Sequence, residues 1–432
     1  MKAIDRDILR LAIPSIVQNV TVPLLGLVDL AIVGHIGDAT YIGAIAVGSM
    51  IFNVMYWLLG FLRMGTSGLT AQALGRNDRA GIHTMLSHSL TLGLLFGLML
   101  VVLQIPLRWL SIWLMGPSDE IAALVRTYFN ICIWGAPATL SLYALTGWFI
   151  GMQDTRTPMT VSILQNIVNI ACSLIFVYGL GMRIEGVAHG TLVAQWSGLL
   201  MALWALKRKG IERPLSFIIA PASKNEAPGF APFLRVNRDI FLRTVCLVAV
   251  NLFFTAAGAR QGDLILSVNT LLMTLFTLFS YVMDGFAFAG EAMGGKLYGA
   301  RDTSGFKALV RRLFLWGAIM VVLFTATYVL GGKPFLALLT NQREVVLSAS
   351  PYLPWALLIP LAGVAAFIYD GIFIGITATR GMLLSSAVAT AVFFILHTTL
   401  SPVLHNHALW LSLIVYLVLR GVIQAVWLRR TL

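Results

Sequence analysis

Charge is scarce in this chain of 432 residues: only 11% are Asp, Glu, Lys or Arg, against about 25% in soluble domains. Cysteine is scarcer still. Cys132, Cys172 and Cys246 form no CxxC pair, so neither a disulfide framework nor a zinc site is supported. Short segments of alternating apolar and polar residues are missing, which argues against a membrane β-barrel. No HExxH, Ser/His/Asp or paired catalytic carboxylate set supports an integral-membrane enzyme. His405 and His407 lie two apart with no third ligand nearby, so no metal is expected. Gly290 to Lys296 fits the first seven places of a phosphate-binding loop. Leu297 then stands where Ser or Thr must hold magnesium, and the motif ends a helix instead of following a strand. Nucleotide hydrolysis is therefore not expected, nor any cofactor, and transport would have to run on an ion gradient. The first apolar run contains Pro14 and Pro23 and lacks a small-residue cleavage pattern, so it is expected to stay in the protein.

What the chain has in abundance is apolar sequence, 58% of all residues. Runs such as 87–107 and 313–330 are long enough to cross ~30 Å of hydrocarbon as helices. Twelve helices are expected, at 7–33, 41–74, 83–107, 121–150, 159–178, 186–206, 238–259, 263–296, 306–329, 343–375, 381–403 and 408–428. The fold class is an all-α polytopic membrane protein. One long polar stretch, rich in proline and basic residues, separates six helices from six. The organisation read from it is an N-lobe at 1–206, a cytoplasmic linker at 207–237 and a C-lobe at 238–432.

The net charge of +12 is not spread evenly. With both termini inside, the inner side collects most of the lysines and arginines, from Lys2, Arg6 and Arg10 to Arg420, Arg429 and Arg430. The outer side has only Arg108, Arg183, Arg260, Lys333 and Arg343. This is the positive-inside pattern of a multi-pass protein. The basic residues are expected to contact lipid headgroups and not nucleic acid.

The two halves are related. Gly147-Trp148-Phe149-Ile150-Gly151 is echoed by Gly371-Ile372-Phe373-Ile374-Gly375, about 224 positions later. Gly75-Arg76-Asn77-Asp78 is echoed at the same offset by Gly299-Ala300-Arg301-Asp302. Two related helical bundles imply a secondary transporter whose site lies between the repeats.

An ionisable group inside a bilayer is a functional candidate by default. Asp29 is the strongest, two turns after Pro23 and one after Gly26, where proline removes a helix hydrogen bond and marks a hinge. It is read as the proton-coupling carboxylate. Its counterpart in the second half is Phe254. Asp284 and Asp370 could bind a proton, a sodium ion or each other. In the fifth predicted helix Gln165, Asn166 and Asn169 form one polar stripe by their spacing, extended by Cys172 and Ser173, with Thr191 of the next helix in reach. The stripe reads as cavity lining or as interhelical packing. Met55 and Tyr56 read as part of an adaptable cavity or as packed core.

Residues 28–37, the stretch from Gly147 to Pro158, the run from Asp284 through Glu291 to Asp302, and Asp370 to Gly375 together resemble the multidrug and toxic compound extrusion (MATE) transporters, closest to the DinF-type bacterial branch. The resemblance covers essentially the whole chain. It implies two six-helix lobes forming a V-shaped cavity, a monomer, and a bacterial inner-membrane location. It also implies export of small organic, often cationic and amphipathic compounds in exchange for protons or sodium ions. The family's proton-sensitive Asp falls on Asp29, its helix-5 Asn on Asn169 and its helix-6 Thr on Thr191. Many members carry an Asp where this chain has Ser173, and the sodium-coupled branch has an acid in its seventh helix that is absent here. Proton coupling is the expected mode. The alternatives are a sodium-coupled drug antiporter and a lipid-precursor flippase of the wider superfamily, for which Arg63 and Arg126 are the only cavity cations expected.

Overall fold

Proline and glycine decide where the long apolar runs become separate helices. The computed structural model describes residues 3–34, 39–211, 230–339 and 342–431, and no strand occurs among them. The first six helices are α1 (Ala3–Gly34), α2 (Ala39–Leu58), α3 (Phe61–Gly75), α4 (Arg79–Val102), α5 (Gln104–Met115) and α6 (Asp119–Cys132). Then come α7 (Ala136–Gly151), α8 (Arg156–Leu174), α9 (Ile184–Arg208), α10 (Phe230–Ala259) and α11 (Asp263–Gly299). The last five are α12 (Thr303–Leu339), α13 (Arg343–Ala349), α14 (Leu353–Gly375), α15 (Thr379–Leu404) and α16 (Asn406–Thr431).

These segments follow the twelve expected spans, four of which are interrupted. The run 41–74 breaks at Gly60, and 83–107 breaks at Leu103, just ahead of Pro106. A 3-10 turn at Ile133–Gly135 precedes Pro137, which occupies the first turn of α7. The tenth span splits at 350–352 around Pro351. Proline lacks the donor that would continue the preceding ladder, so it is at home in a first turn; inside a run it removes one hydrogen bond, which α14 tolerates at Pro360 and α15 at Pro402. Among the described residues nine helices are long and apolar enough to cross a bilayer. Apolar side chains such as Val102 and Leu330 point outward, 79% and 84% exposed, as lipid-facing positions do.

The segment 207–237 is shorter as a linker than its composition suggests. Helix α9 continues to Arg208, and α10 opens at Phe230, so residues 230–237 are helical. Pro232 falls in the first turn of α10, where its missing donor costs nothing. Phe233 is fully buried, and the rings of Phe230 and Phe233 meet His88 of α4 at 5.1 and 5.9 Å. Aromatic burial of this kind favours helix over a solvated linker.

The chain divides into two compact units, one of Val17–Asn237 and one of Met1–Ile16 with Arg238–Leu432. The first turns of α1 therefore pack with the C-terminal helices. Gly285 of α11 lies against Ala12 and Ile16, and Asp5 pairs with Arg312 of α12 at 3.6 Å.

Each unit repeats the other's construction. Helix α3 crosses α7 at Gly151, where a β-carbon would stand 2.6 Å from the Ser67 carbonyl oxygen. Helix α11 crosses α14 at Gly375, with the same 2.6 Å to the Glu291 carbonyl oxygen. Gly147 and Gly371 are pressed in the same way against the carbonyls of Arg63 and Ala287. All four pairs stand about 224 positions apart. The turns after these helices also repeat: Asn77 and Arg301 have φ of 56° and 57°, and Gln153 and Thr377 have 63° and 54°. Asp78 caps α4 through Gly81, and Asp302 caps α12 through Gly305.

Candidate functional site

Helices α1, α6, α8 and α9 of the first unit hold most of the polar groups expected at the site. Asp29 is 6% exposed, and its Oδ1 meets no donor among the described residues. Tyr128 and Cys132 of α6 stand near it. Cys132 in turn donates to the Ala188 carbonyl of α9 at 3.8 Å. A buried carboxylate oxygen without a donor is expensive at membrane depth, which keeps Asp29 a functional candidate.

The polar stripe of α8 divides its attention between two neighbours. Asn166 Nδ2 donates to the Thr21 carbonyl of α1 at 3.0 Å. Asn169, fully buried, donates to Thr191 Oγ1 of α9 at 3.1 Å and accepts from Ser173 at 3.4 Å. Ser173 lies against Gly190, and Gln165 Oε1 lies where a β-carbon on Gly198 would stand 2.7 Å away. Ser173 thus completes a neutral network of amide and hydroxyls around Asn169.

Met55 is half-buried and Tyr56 buried. The Tyr56 ring packs 5.8 Å from Phe52 and 6.5 Å from Tyr143, and Phe52 stacks on Phe129 at 5.1 Å. Tyr56 is therefore part of an aromatic core joining α2, α6 and α7. Pro23 and Gly26, read as a hinge, have side chains outside the described residues; the backbone of α1 is helical through Gly34.

Tyr178 carries no signal of a role in its local sequence. After α8 the chain makes a π-helical turn at Ile175–Gly179, a form that recurs at functional positions. From it Tyr178 donates to the Ile32 carbonyl at 3.1 Å, one turn beyond Asp29.

In the second unit Asp370 of α14 is 7% exposed and is bonded on both oxygens. Arg243 of α10 and Arg420 of α16 both donate to its Oδ2, and Gln424 donates to its Oδ1 at 2.6 Å. Arg420 was assigned to the inner charged side; it is instead 6% exposed inside α16, because Asp370 supplies its counter-charge. An ion shared between Asp284 and Asp370 would have to displace a guanidinium. Asp284 is half-buried on α11 beside Tyr281. Arg243 and Arg420 carried a readable signal, since each interrupts an apolar helix.

Outside the membrane-spanning segments, Asp154 lies in the turn between α7 and α8. Burial alone would lift its carboxyl. The Lys209 ammonium at 2.8 Å and the Thr157 hydroxyl and amide hold it below its ordinary value.

The MatE family model matches twice, over residues 14–175 and 240–403, once in each repeat. The chain belongs to the MatE family. It is 39% identical to the DNA damage-inducible protein F of Escherichia coli (strain K12), over 98% of this chain and 92% of that protein. The probable multidrug resistance protein NorM of Thermotoga maritima is 21% identical, covering 79% of this chain and 74% of its own length. Among solved structures, a MATE protein crystallised in the bent conformation superposes with a TM-score of 0.87 at 19% identity, over 100% of this chain and 96% of that one. MatE proteins are transporters, not enzymes. This one is a multi-pass membrane transporter of the same kind.

Proposed function

We propose that this MatE chain is a proton-coupled antiporter that exports organic, cationic and amphipathic compounds across the bacterial inner membrane, with both termini cytoplasmic. The observation that carries the reading is Asp29, buried and without a donor on Oδ1. A carboxylate in that setting can hold either a proton or an organic cation, and the two would compete. The Ser173 hydroxyl stands where a second acid would favour a metal cation, and its neutrality favours the proton. The relative named as a probable multidrug resistance protein agrees with an organic substrate.

The test uses the purified chain in vesicles carrying a pH-sensitive dye, with ethidium as the lipophilic cation. Ethidium is expected to drive proton movement in the wild type and none in Asp29→Asn, with both forms equally folded in the membrane. Ethidium exchange that follows sodium and survives in Asp29→Asn would overturn the reading.

A further inference from the structure

Three helices of the second unit bring two cations to one anion. Arg243, Arg420 and Asp370 are 7%, 6% and 7% exposed, and Gln424 is fully buried. Both guanidiniums reach the same carboxylate oxygen, Oδ2, while Gln424 takes Oδ1. The Nε of Arg243, the Nε of Arg420 and the Oε1 of Gln424 are buried with no partner among the described residues. The next acid along α10, Asp239, is already bonded to Arg238 and Thr379. The cluster thus holds two positive charges against one negative, and two forks with donors unused.

Uncompensated charge is costly in a low-dielectric interior, and breaking up such a cluster or leaving it unbalanced is disfavoured. Guanidinium forks match the paired oxygens of a carboxylate, phosphate or sulfonate group and bind them through two parallel hydrogen bonds. The scaffold does not require these charges. In the register that pairs Asp29 with Phe254, Arg243 corresponds to Gln18, and at the 224-residue offset Asp370 and Arg420 correspond to Thr146 and Trp196, all neutral. Packing is met there without any arginine.

We propose that Arg243 and Arg420 form a binding site for an oxyanion, with Asp370 as the built-in competitor that the incoming group partly displaces. The site goes beyond proton-coupled cation export: it lets the protein take compounds that carry an acidic group, or the headgroup of an anionic lipid. Gln424 bridges both states, since its amide can donate to Asp370 while its carbonyl turns toward a donor on the ligand.

Benzoate and inorganic phosphate serve as probes, titrated by calorimetry into the full chain in nanodiscs of neutral phosphatidylcholine. Arg243→Gln and Arg420→Gln are each expected to weaken binding by roughly tenfold or more, the loss of one charge-assisted hydrogen bond. Asp370→Asn is expected to tighten it, because the competing charge is gone while an amide acceptor remains. Nanodiscs of phosphatidylglycerol distinguish the source: suppressed benzoate binding means that lipid headgroups occupy the site, and unchanged binding means that free anions do. A wild-type readout guards against variants that do not fold. The Cys246 thiol on α10, one turn from Arg243, is half-buried near Tyr416, whose ring lies 5.4 Å from the Arg420 guanidinium. Saturating benzoate should slow its reaction with maleimide and leave Cys172 unaffected. Absence of benzoate and phosphate binding in the wild type, or equal affinities in wild type and Asp370→Asn, would overturn the site.

Discussion

The Tyr178 hydroxyl and the Ile32 carbonyl are joined by a hydrogen bond of 3.1 Å, which ties a π-helical turn to the last turns of α1. The tyrosine reaches this backbone carbonyl from outside the helix. Together with Asn166, which holds the Thr21 carbonyl, it clasps the length of α1 that carries Asp29. Tyr178→Phe removes the hydroxyl and keeps the ring. The expected cost is about 1 kcal/mol, read as faster amide hydrogen exchange across the end of α1, by about fivefold. Exchange unchanged there would show that the ring alone holds the helix.

The crossings at Gly147 and Gly371 leave no room for a methyl group, because a backbone carbonyl of the neighbouring helix fills it. Gly371→Ala should push α14 away from α11 and destabilise the second unit by about 1–3 kcal/mol. Gly147→Ala should do the same to the first unit by a similar amount. Thermal unfolding in detergent measures both. A large difference between the two substitutions would mean that the halves do not share this contact.

The turn at Asp154 is sensitive to acid. Its carboxyl is held down in the folded chain, despite its burial, by Lys209 and Thr157. Its contribution to stability is therefore complete above the unfolded carboxylate value of about 4. It is lost as pH falls through the lower folded value. Asp154→Asn should have a lower thermal midpoint near neutral pH and a flatter decline on acidification than the wild type. Parallel declines in the two proteins would assign the acid sensitivity elsewhere.

Much of the fold is legible in the sequence because lipid imposes a simple rule: apolar helices of sufficient length span it. The repeat is legible because its markers are backbone requirements. Gly151 and Gly375 are forced by close helix crossings, and the turns at Asn77 and Arg301 by a left-handed backbone. Helix interruptions are less so, since Gly60 and Leu103 break runs whose hydropathy is uniform. Candidate residues are legible where type or spacing within one helix carries a signal: Asp29 stands out by type, and Asn169 by its spacing from Gln165 and Asn166. Tyr178 does not, because an aromatic residue near the end of a membrane helix has an ordinary explanation at the interface. The cluster on Asp370 joins residues of three helices far apart in sequence, and no local pattern links Arg243 to Arg420.

The duplicated crossings have a consequence for how such a chain can diversify. Glycine-to-carbonyl contacts and left-handed turns fix each bundle through backbone alone, so most inward side chains are under no obligation to match between copies. The first copy has Asp29 and Asn169 where the second has Phe254 and Phe393, both buried among aromatic rings. The second copy has arginines where the first is neutral. A single ancestral bundle, once doubled, can thereby vary the inward chemistry of one copy independently, and a mutation that retunes either leaves its sibling's architecture intact.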